Sequence, residues 1–435
     1  MAGLPYVSIA CLVAGALLVL ALAGPLTQRR WALAGMGLLS AIAAAAGARI
    51  GAGLGGPLAV YAICAFLVVT LLLTPSLELQ YAQQRPESAA LLLLAGAGTI
   101  IMATGGDLLQ MTIGMETLSL SSALLVVLGR GEAVAEAAFK YFVLAAVSLT
   151  ALIYGLGLIY FSTGSIGLPP PGSAMSLSLL AGIVLMSAGF AFELALVPLH
   201  WGALDLYSAG SPAAAGAVMA LSKLGAVVAL IRLVPIAGSS YLFVIGMLGL
   251  LTAIWGTLAA LGQREIRRLL AYSAIAHAGF LAMAIGSGAA GASAAVFYVI
   301  AYGATAMLVF AALAGAGPDA ISFAELPAKL GLQRSLALCI GLMSLAGIPP
   351  LPGFWAKLAL FGSTWQALGP VPTILGVAAA VAAAVYYLYP VPDLWSTLRL
   401  PGKLRLHGNA GVLAAGAATL LLTIVPGYLW ALIRP

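Results

Sequence analysis

Roughly fourteen long apolar runs follow one another through this sequence, separated only by short polar joints. In hydrocarbon every backbone N–H and C=O must find a partner within its own segment, so runs of this kind are restricted to helices that cross a membrane. A span of about 30 Å takes about 20 residues at the helical rise. The approximate spans are 4–24, 31–49 and 57–74, then 89–105, 107–128, 138–161, 176–199 and 208–233. They continue as 241–262, 268–286, 291–315, 335–361 and 371–390, with a last at 409–429. Charged residues make up 7% of the chain, against about 25% in a soluble domain, too few to clothe a surface in water. A soluble enzyme is excluded, and an all-α membrane protein is the fold class. The first run lacks the basic flank of a secretory signal, so it is expected to remain as a helix.

The formal charge of +6 does not indicate nucleic acid, because the basic residues sit singly or in small groups between apolar runs. Their distribution indicates orientation instead. The joints between helices 1–2, 3–4, 5–6, 9–10, 11–12 and 13–14 hold Arg29, Arg30, Arg85, Arg130, Lys140, Arg264, Arg267, Arg268, Lys329, Arg334, Arg399, Lys403 and Arg405. The opposite side holds only Arg49, Arg232 and Arg434. That bias places the first set of joints on the cytoplasmic side of a prokaryotic inner membrane and both termini on the periplasmic side. Cys11, Cys64 and Cys339 each lie in an apolar run without a CxxC partner and read as small buried hydrophobes, so no metal or cofactor framework is expected in the chain.

Two stretches read as interrupted helices. One runs through Val197, Pro198 and His200 to Pro212, the other from Gly347 through Pro349, Pro350 and Pro352 to Gly353. Proline removes a backbone donor and frees a carbonyl, which at membrane depth is tolerated only inside protein or beside water. Paired breaks in two halves of a chain point to an inverted repeat around a polar path, although ordinary proline kinks give the same sequence.

Four ionisable residues fall inside apolar spans: Glu116, Glu193, Lys223 and Lys357. A lone charge at mid-bilayer costs at least about 2.5–3.5 kcal/mol, so such residues mark ion or proton pathways unless they only pin helices together. His277, with Tyr272 and Ser273 nearby, extends the set, since an imidazole suits a relay between unlike partners. A neutral packed histidine is its alternative. His200, beside Trp201, reads as interfacial. Near the start of helix 6, Arg130, Glu132, Glu136 and Lys140 cluster, and the i,i+4 spacing of Glu136 and Lys140 allows either a surface ion pair or a proton-uptake site.

Four segments carry a resemblance. They are Ile113 to Leu120 (IGMETLSL), Glu136 to Phe142 (EAAFKYF), Arg268 to Gly279 (RLLAYSAIAHAG) and Leu345 to Lys357 (LAGIPPLPGFWAK). In this order they resemble the subunit N family of proton-pumping NADH:quinone oxidoreductase (respiratory complex I), antiporter-like membrane subunits. The resemblance covers helices 4 to 13. It implies a fourteen-helix fold with N-terminal helices 1–3 in residues 1–88, inverted five-helix repeats at 89–233 (helices 4–8) and 234–390 (helices 9–13), broken helices 7 and 12, and a last helix in 391–435. It also implies that Glu116, Lys223 and Lys357 carry protons, with Glu193, His277 and Lys140 joining them on the reading of the residues above, and that NADH, FMN, iron–sulfur clusters and quinone are held by partner subunits and none by this chain. Relatives usually carry lysine where this chain has Glu193, so the usual opposite charge facing Glu116 is replaced by a second acid. Where many relatives carry lysine before helix 10, Arg267 stands here, and an arginine that does not deprotonate implies an anchor. A subunit of a multisubunit sodium/proton antiporter, a hydrogenase- or ferredoxin-linked relative and a non-conducting scaffold remain open on the residues alone.

Overall fold

The computed structural model describes residues 6–22, 30–47, 56–73, 84–129, 131–170, 172–314, 316, 321–396 and 410–424. Parts of the first three spans and of the last, and Arg29, Arg49, Arg130, Arg399, Lys403, Arg405 and Arg434, lie outside the described residues.

Helices account for nearly all the described regular structure. They are α1 (Tyr6–Ala21), α2 (Arg30–Gly47), α3 (Gly56–Leu73), α4 (Arg85–Thr104), α5 (Leu108–Val127) and α6 (Glu132–Thr163). The seventh is split into α7a (Leu177–Leu194) and α7b (Trp201–Ala209), followed by α8 (Pro212–Leu233), α9 (Ser239–Leu261), α10 (Ile266–Gly286) and α11 (Gly288–Leu313). The twelfth is split into α12a (Leu326–Ala346) and α12b (Pro352–Ala367), followed by α13 (Pro370–Leu388), a short helix over Val391–Ser396 and α14 (Ala410–Ile424). Among the described residues nine helices are long and apolar enough to cross a membrane, and four shorter apolar helices accompany them. Two isolated bridges, Asp107 with Gly167 and Glu265 with Ser322, are the β-type pairs there.

Local chemistry fixes the boundaries. Asp107 accepts the Gln110 N–H at 2.7 Å to start α5, and Ser176 accepts the Leu179 N–H at 3.1 Å to start α7a. Ser211 caps α8 just before Pro212, whose missing N–H has no helical partner to lose at that position. Helix 6 begins at Glu132, earlier than its apolar run, whereas the stretch from Leu326 is interrupted at Gly331, at φ 68°, before helix 12 proper.

Small residues set the packing distances. A methyl on Gly98 would lie 2.8 Å from the Gly114 carbonyl oxygen, and one on Gly279 would lie 2.5 Å from the Gly249 carbonyl oxygen. Thus α4 and α5, and likewise α9 and α10, meet backbone to backbone, as small-residue interfaces do in lipid. The helices α8, α10 and α11 are almost wholly enclosed by the others, whereas α6 keeps most of one face outward. Lys223 and His277 sit on these enclosed helices, Glu193 and Lys357 on the two that break, and Glu116 on α5.

Candidate functional site at the broken helices

Each break leaves a half-helix whose final carbonyls have no intrahelical partner. In α7a the chain turns at Ala195, which adopts the left-handed conformation at φ 66°; in α12a it turns at Gly347, at φ 89°. Each break also contains a cis X-Pro bond, Val197–Pro198 and Pro349–Pro350.

The buried lysines are seated on these ends. Lys223 Nζ, wholly enclosed, donates to the Leu194 carbonyl at 2.9 Å, and Lys357 Nζ donates to the Leu345 and Ala346 carbonyls at 2.8 and 2.9 Å. A helix C-terminus carries a partial negative charge, so it holds an ammonium without a carboxylate. Two arginines follow the same rule. Arg232 donates to the Ala103 and Gly105 carbonyls at the end of α4, and Arg267 donates to Ala209 and Gly210 at the end of α7b.

Glu193 is 2% exposed and lies on the last turn of α7a. Its carboxylate accepts the Ser119 hydroxyl at 2.8 Å and the Tyr141 hydroxyl at 3.1 Å, and it lies within the electrostatic field of both Glu116 and Lys223. One carboxyl oxygen of Glu116 is buried without a hydrogen-bond partner. His277, in α10, is bracketed by hydroxyls: Nδ1 lies 2.8 Å from Tyr298 and Nε2 lies 3.0 Å from Tyr387. The charges of Lys357 and Lys223 both act on it. Glu116, Glu193, Lys223, His277 and Lys357 thus form one succession, each within electrostatic reach of the next.

Lys140 stands apart from that succession, half-exposed on α6. It pairs with Glu136 at 2.7 Å and with Asp205 of α7b at 3.5 Å. These residues line an open cavity of about 420 Å³ together with Ser208, Glu265 and Arg267. Burial pushes the Glu265 carboxyl above its usual range, an effect that Arg267 and Arg268 partly offset. From this cavity α7b leads inward through Tyr207, whose hydroxyl lies 3.4 Å from that of Ser222, the neighbour of Lys223.

His200, read as interfacial, is 5% exposed, and its ring meets Trp255 at 4.5 Å and Trp201 at 5.9 Å. The hydroxyls of Ser119, Tyr141, Tyr298 and Tyr387 and the backbone carbonyls that seat the lysines were not singled out by the sequence. Among the described residues no group of three or more metal-type side chains is assembled.

The fold and these residues define a class: a polytopic helical membrane protein with two broken helices and ionisable side chains buried among its helices. Residues 105–383 match the family described as NADH:quinone oxidoreductase/Mrp antiporter, TM. The chain is 36% identical over 355 residues to NADH-quinone oxidoreductase subunit 14 of Thermus thermophilus, covering 79% of each. It is 33% identical over 439 residues to NADH-quinone oxidoreductase subunit N of Moorella thermoacetica, covering 94% of this chain and 92% of that one. A chain of respiratory complex I from Thermus thermophilus superposes with a TM-score of 0.81 at 28% identity, covering 98% of both. The chain belongs to the NADH:quinone oxidoreductase/Mrp antiporter family of membrane subunits, alongside the subunits N and 14 of NADH-quinone oxidoreductases.

Proposed function

We propose that this chain is a proton-translocating membrane subunit of a complex I-like, redox-driven pump. The observation that carries this reading is the succession from Glu116 through Glu193, Lys223 and His277 to Lys357, with both lysines seated on the ends of broken helices. Relatives bearing the names of NADH-quinone oxidoreductase subunits support the assignment to that assembly. Within it the chain is one subunit of an NADH:quinone oxidoreductase-type translocase, with NADH, FMN, iron–sulfur clusters and quinone belonging to partner subunits. The bias of the basic joints supports a prokaryotic inner-membrane setting with both termini periplasmic.

Residues 89–233 and 234–390 would act as two inverted repeats, each contributing half of the path. The open cavity at Glu136, Lys140 and Asp205 is the site of proton uptake. Glu116 and Glu193 gate the first half, Lys223 stores the proton, His277 passes it on and Lys357 connects to the exit. Moving one charge against 100 mV requires about 2.3 kcal/mol. At 1.36 kcal/mol per pKa unit, a swing of under about two units at one seat matches that step.

Alanine at Glu116 or Lys357 is expected to abolish proton pumping by the assembled complex in vesicles while electron transfer persists or slows with it. Normal pumping in both variants would sink the proposal. Sodium transport without any electron donor would assign the chain to a cation exchanger instead.

A further inference from the structure

The two breaks close their backbone bonds differently. At each turn a pair of N–H groups folds back onto the last helical residues: Ala195 and Leu196 donate to Phe192 and Ala191, and Gly347 and Ile348 donate to Ser344 and Met343. Beyond that point helix 12 supplies its own partners. The Leu351 N–H goes to the Ile348 carbonyl at 3.0 Å, the Gly353 N–H to the Ser344 hydroxyl at 3.3 Å, and the Trp355 indole to the Pro350 carbonyl at 3.1 Å. In helix 7 the next donor past the turn is Val197, and Pro198 after it has none. The Val197 N–H leaves its own helix and reaches Thr252 Oγ1 of α9 at 3.3 Å, 55 residues away in sequence. Thr252 is wholly enclosed, and its own proton is committed to the Leu248 carbonyl at 2.7 Å, so its oxygen can only accept. Three residues further along α9, Trp255 meets the His200 ring edge-on at 4.5 Å. One helix thus holds both ends of the segment 197–200. It is itself locked to α10, where a methyl on Gly256 would stand 2.5 Å from the Ala276 nitrogen.

We infer that Thr252 is a positioning residue: from α9 it fixes the turn of helix 7 and, through that turn, the Leu194 carbonyl on which Lys223 is seated. The inference rests on the proton-translocating reading and adds to it a residue outside the buried charges. Leu194 and Val197 are the two fixed points of the turn, one held by Lys223 and the other by Thr252. Between them stands Ala195, at φ 66°. A side-chain-bearing residue keeps that conformation only where its surroundings over-determine it. The turn of helix 12 has Gly347 at the same place, which carries no such penalty, and there no other helix is needed. The restraint from outside therefore falls on the turn that requires one. Because α9 belongs to residues 234–390, it ties the broken helix of the first half of the chain to the second half.

Thr252→Val preserves the shape and removes the acceptor, whereas Thr252→Ser keeps the acceptor. In the assembled complex Thr252→Val is expected to speed amide exchange across residues 195–200 by about tenfold, the size that one lost hydrogen bond allows. Exchange across residues 347–355, at the break that closes itself, should stay as it was. Pumping should slow with the local change, and Thr252→Ser should return both readouts to those of the parent complex. Unchanged exchange across 195–200 in Thr252→Val overturns the inference, as does an equal rise across 347–355. So does a Thr252→Ser variant as impaired as Thr252→Val, or normal pumping by Thr252→Val where Lys223→Met does not pump. Normal pumping by Lys223→Met is the separate failure of the proton-translocating reading, and the exchange measurement decides the hold on helix 7 without it.

Discussion

Lys223 Nζ lies 2.9 Å from the carbonyl oxygen of Leu194, so the ammonium buried deepest in the protein closes the backbone of the neighbouring broken helix. The residue before Leu194 is Glu193, and the residue after it is Ala195 in the left-handed conformation. A proton held at Lys223 therefore influences both an acid and a backbone turn within three residues. The cap and the proton are separable functions of one side chain.

Arginine and methionine at position 223 distinguish them. Lys223→Arg keeps a charged donor for the carbonyl but cannot release its proton. Lys223→Met keeps the length and loses both. Pumping should vanish in each. Thermal stability of the purified complex should hold in the arginine variant and fall in the methionine variant, by about 1.5–3 kcal/mol for a lost charged hydrogen bond. Proton pumping by Lys223→Arg at the normal rate would show that the side chain only caps.

The two turns at the breaks differ in residue type, and that difference predicts opposite effects of small substitutions. Gly347, at φ 89°, occupies backbone space that an L side chain tolerates at a cost of roughly 1–2 kcal/mol. A methyl there would also stand 3.0 Å from Lys357 Cδ and 3.3 Å from its Nζ. Gly347→Ala should destabilise the protein and disturb the Lys357 seat, lowering pumping as well. Ala195 already bears the left-handed penalty at φ 66°. Ala195→Gly should recover roughly 1 kcal/mol of it, less the extra freedom of glycine in the unfolded chain. Melting temperatures of the two variants, taken in one detergent, should fall on opposite sides of the parent protein's.

What the sequence discloses here follows the energetics of the bilayer. Glu116, Glu193, Lys223 and Lys357 stand out because a charge inside an apolar run is costly wherever its partners are. The proline clusters likewise announce breaks at 198 and 349–352. The partners themselves were not legible. Ser119 and Tyr141 reach Glu193 across 74 and 52 residues, and Tyr387 reaches His277 across 110. Serine and tyrosine are unremarkable in such helices, and only the packing decides which hydroxyl faces an acid. The start of helix 6 is hidden for a different reason: its opening turns carry Glu132, Glu136 and Lys140, which end an apolar run but not a ladder of backbone hydrogen bonds. The short α7b is likewise hidden, since Trp201 to Ala209 is too brief and too polar to read as a span, and nothing beside His200 in the sequence announces its 5% exposure.

Glu193 occupies the position at which relatives of the subunit N family were expected to carry lysine, and its surroundings suit a carboxylate, with two hydroxyls donating to it. Glu193→Gln keeps a carbonyl acceptor and an apolar stem of the same size, and the hydroxyls of Ser119 and Tyr141 can rotate to meet its amide. Stability should change by less than about 1 kcal/mol, within the ordinary range for one neutral hydrogen bond. Pumping should be lost, because an amide does not exchange the proton. Removing both donors in Ser119→Ala with Tyr141→Phe leaves a buried acceptor without them, which costs about 1–3 kcal/mol or more for a charged group. Chemical denaturation and vesicle acidification measured on the same preparations would separate the two effects. Undiminished pumping by Glu193→Gln would remove this residue from the path.

Arg267 ties α10 to the far end of α7b, with its guanidinium on the carbonyls of Ala209 and Gly210. That half-helix carries Asp205, 3.5 Å from Lys140, and Tyr207, 3.4 Å from Ser222. Holding the C-terminal end of α7b therefore holds the mouth of the open cavity and its inward connection together. A planar fork spans two consecutive carbonyls as a single ammonium does not, so Arg267→Lys keeps the charge and loses part of the grip. Freed by even part of a turn, α7b would carry Asp205 away from Lys140, and the exposed amine would react faster with an acylating reagent. The expected result is a rise in Lys140 labelling and faster amide exchange across residues 205–210, accompanied by slower pumping. A merely destabilised protein would exchange faster everywhere. Slower pumping without either local change would assign Arg267 an effect other than positioning.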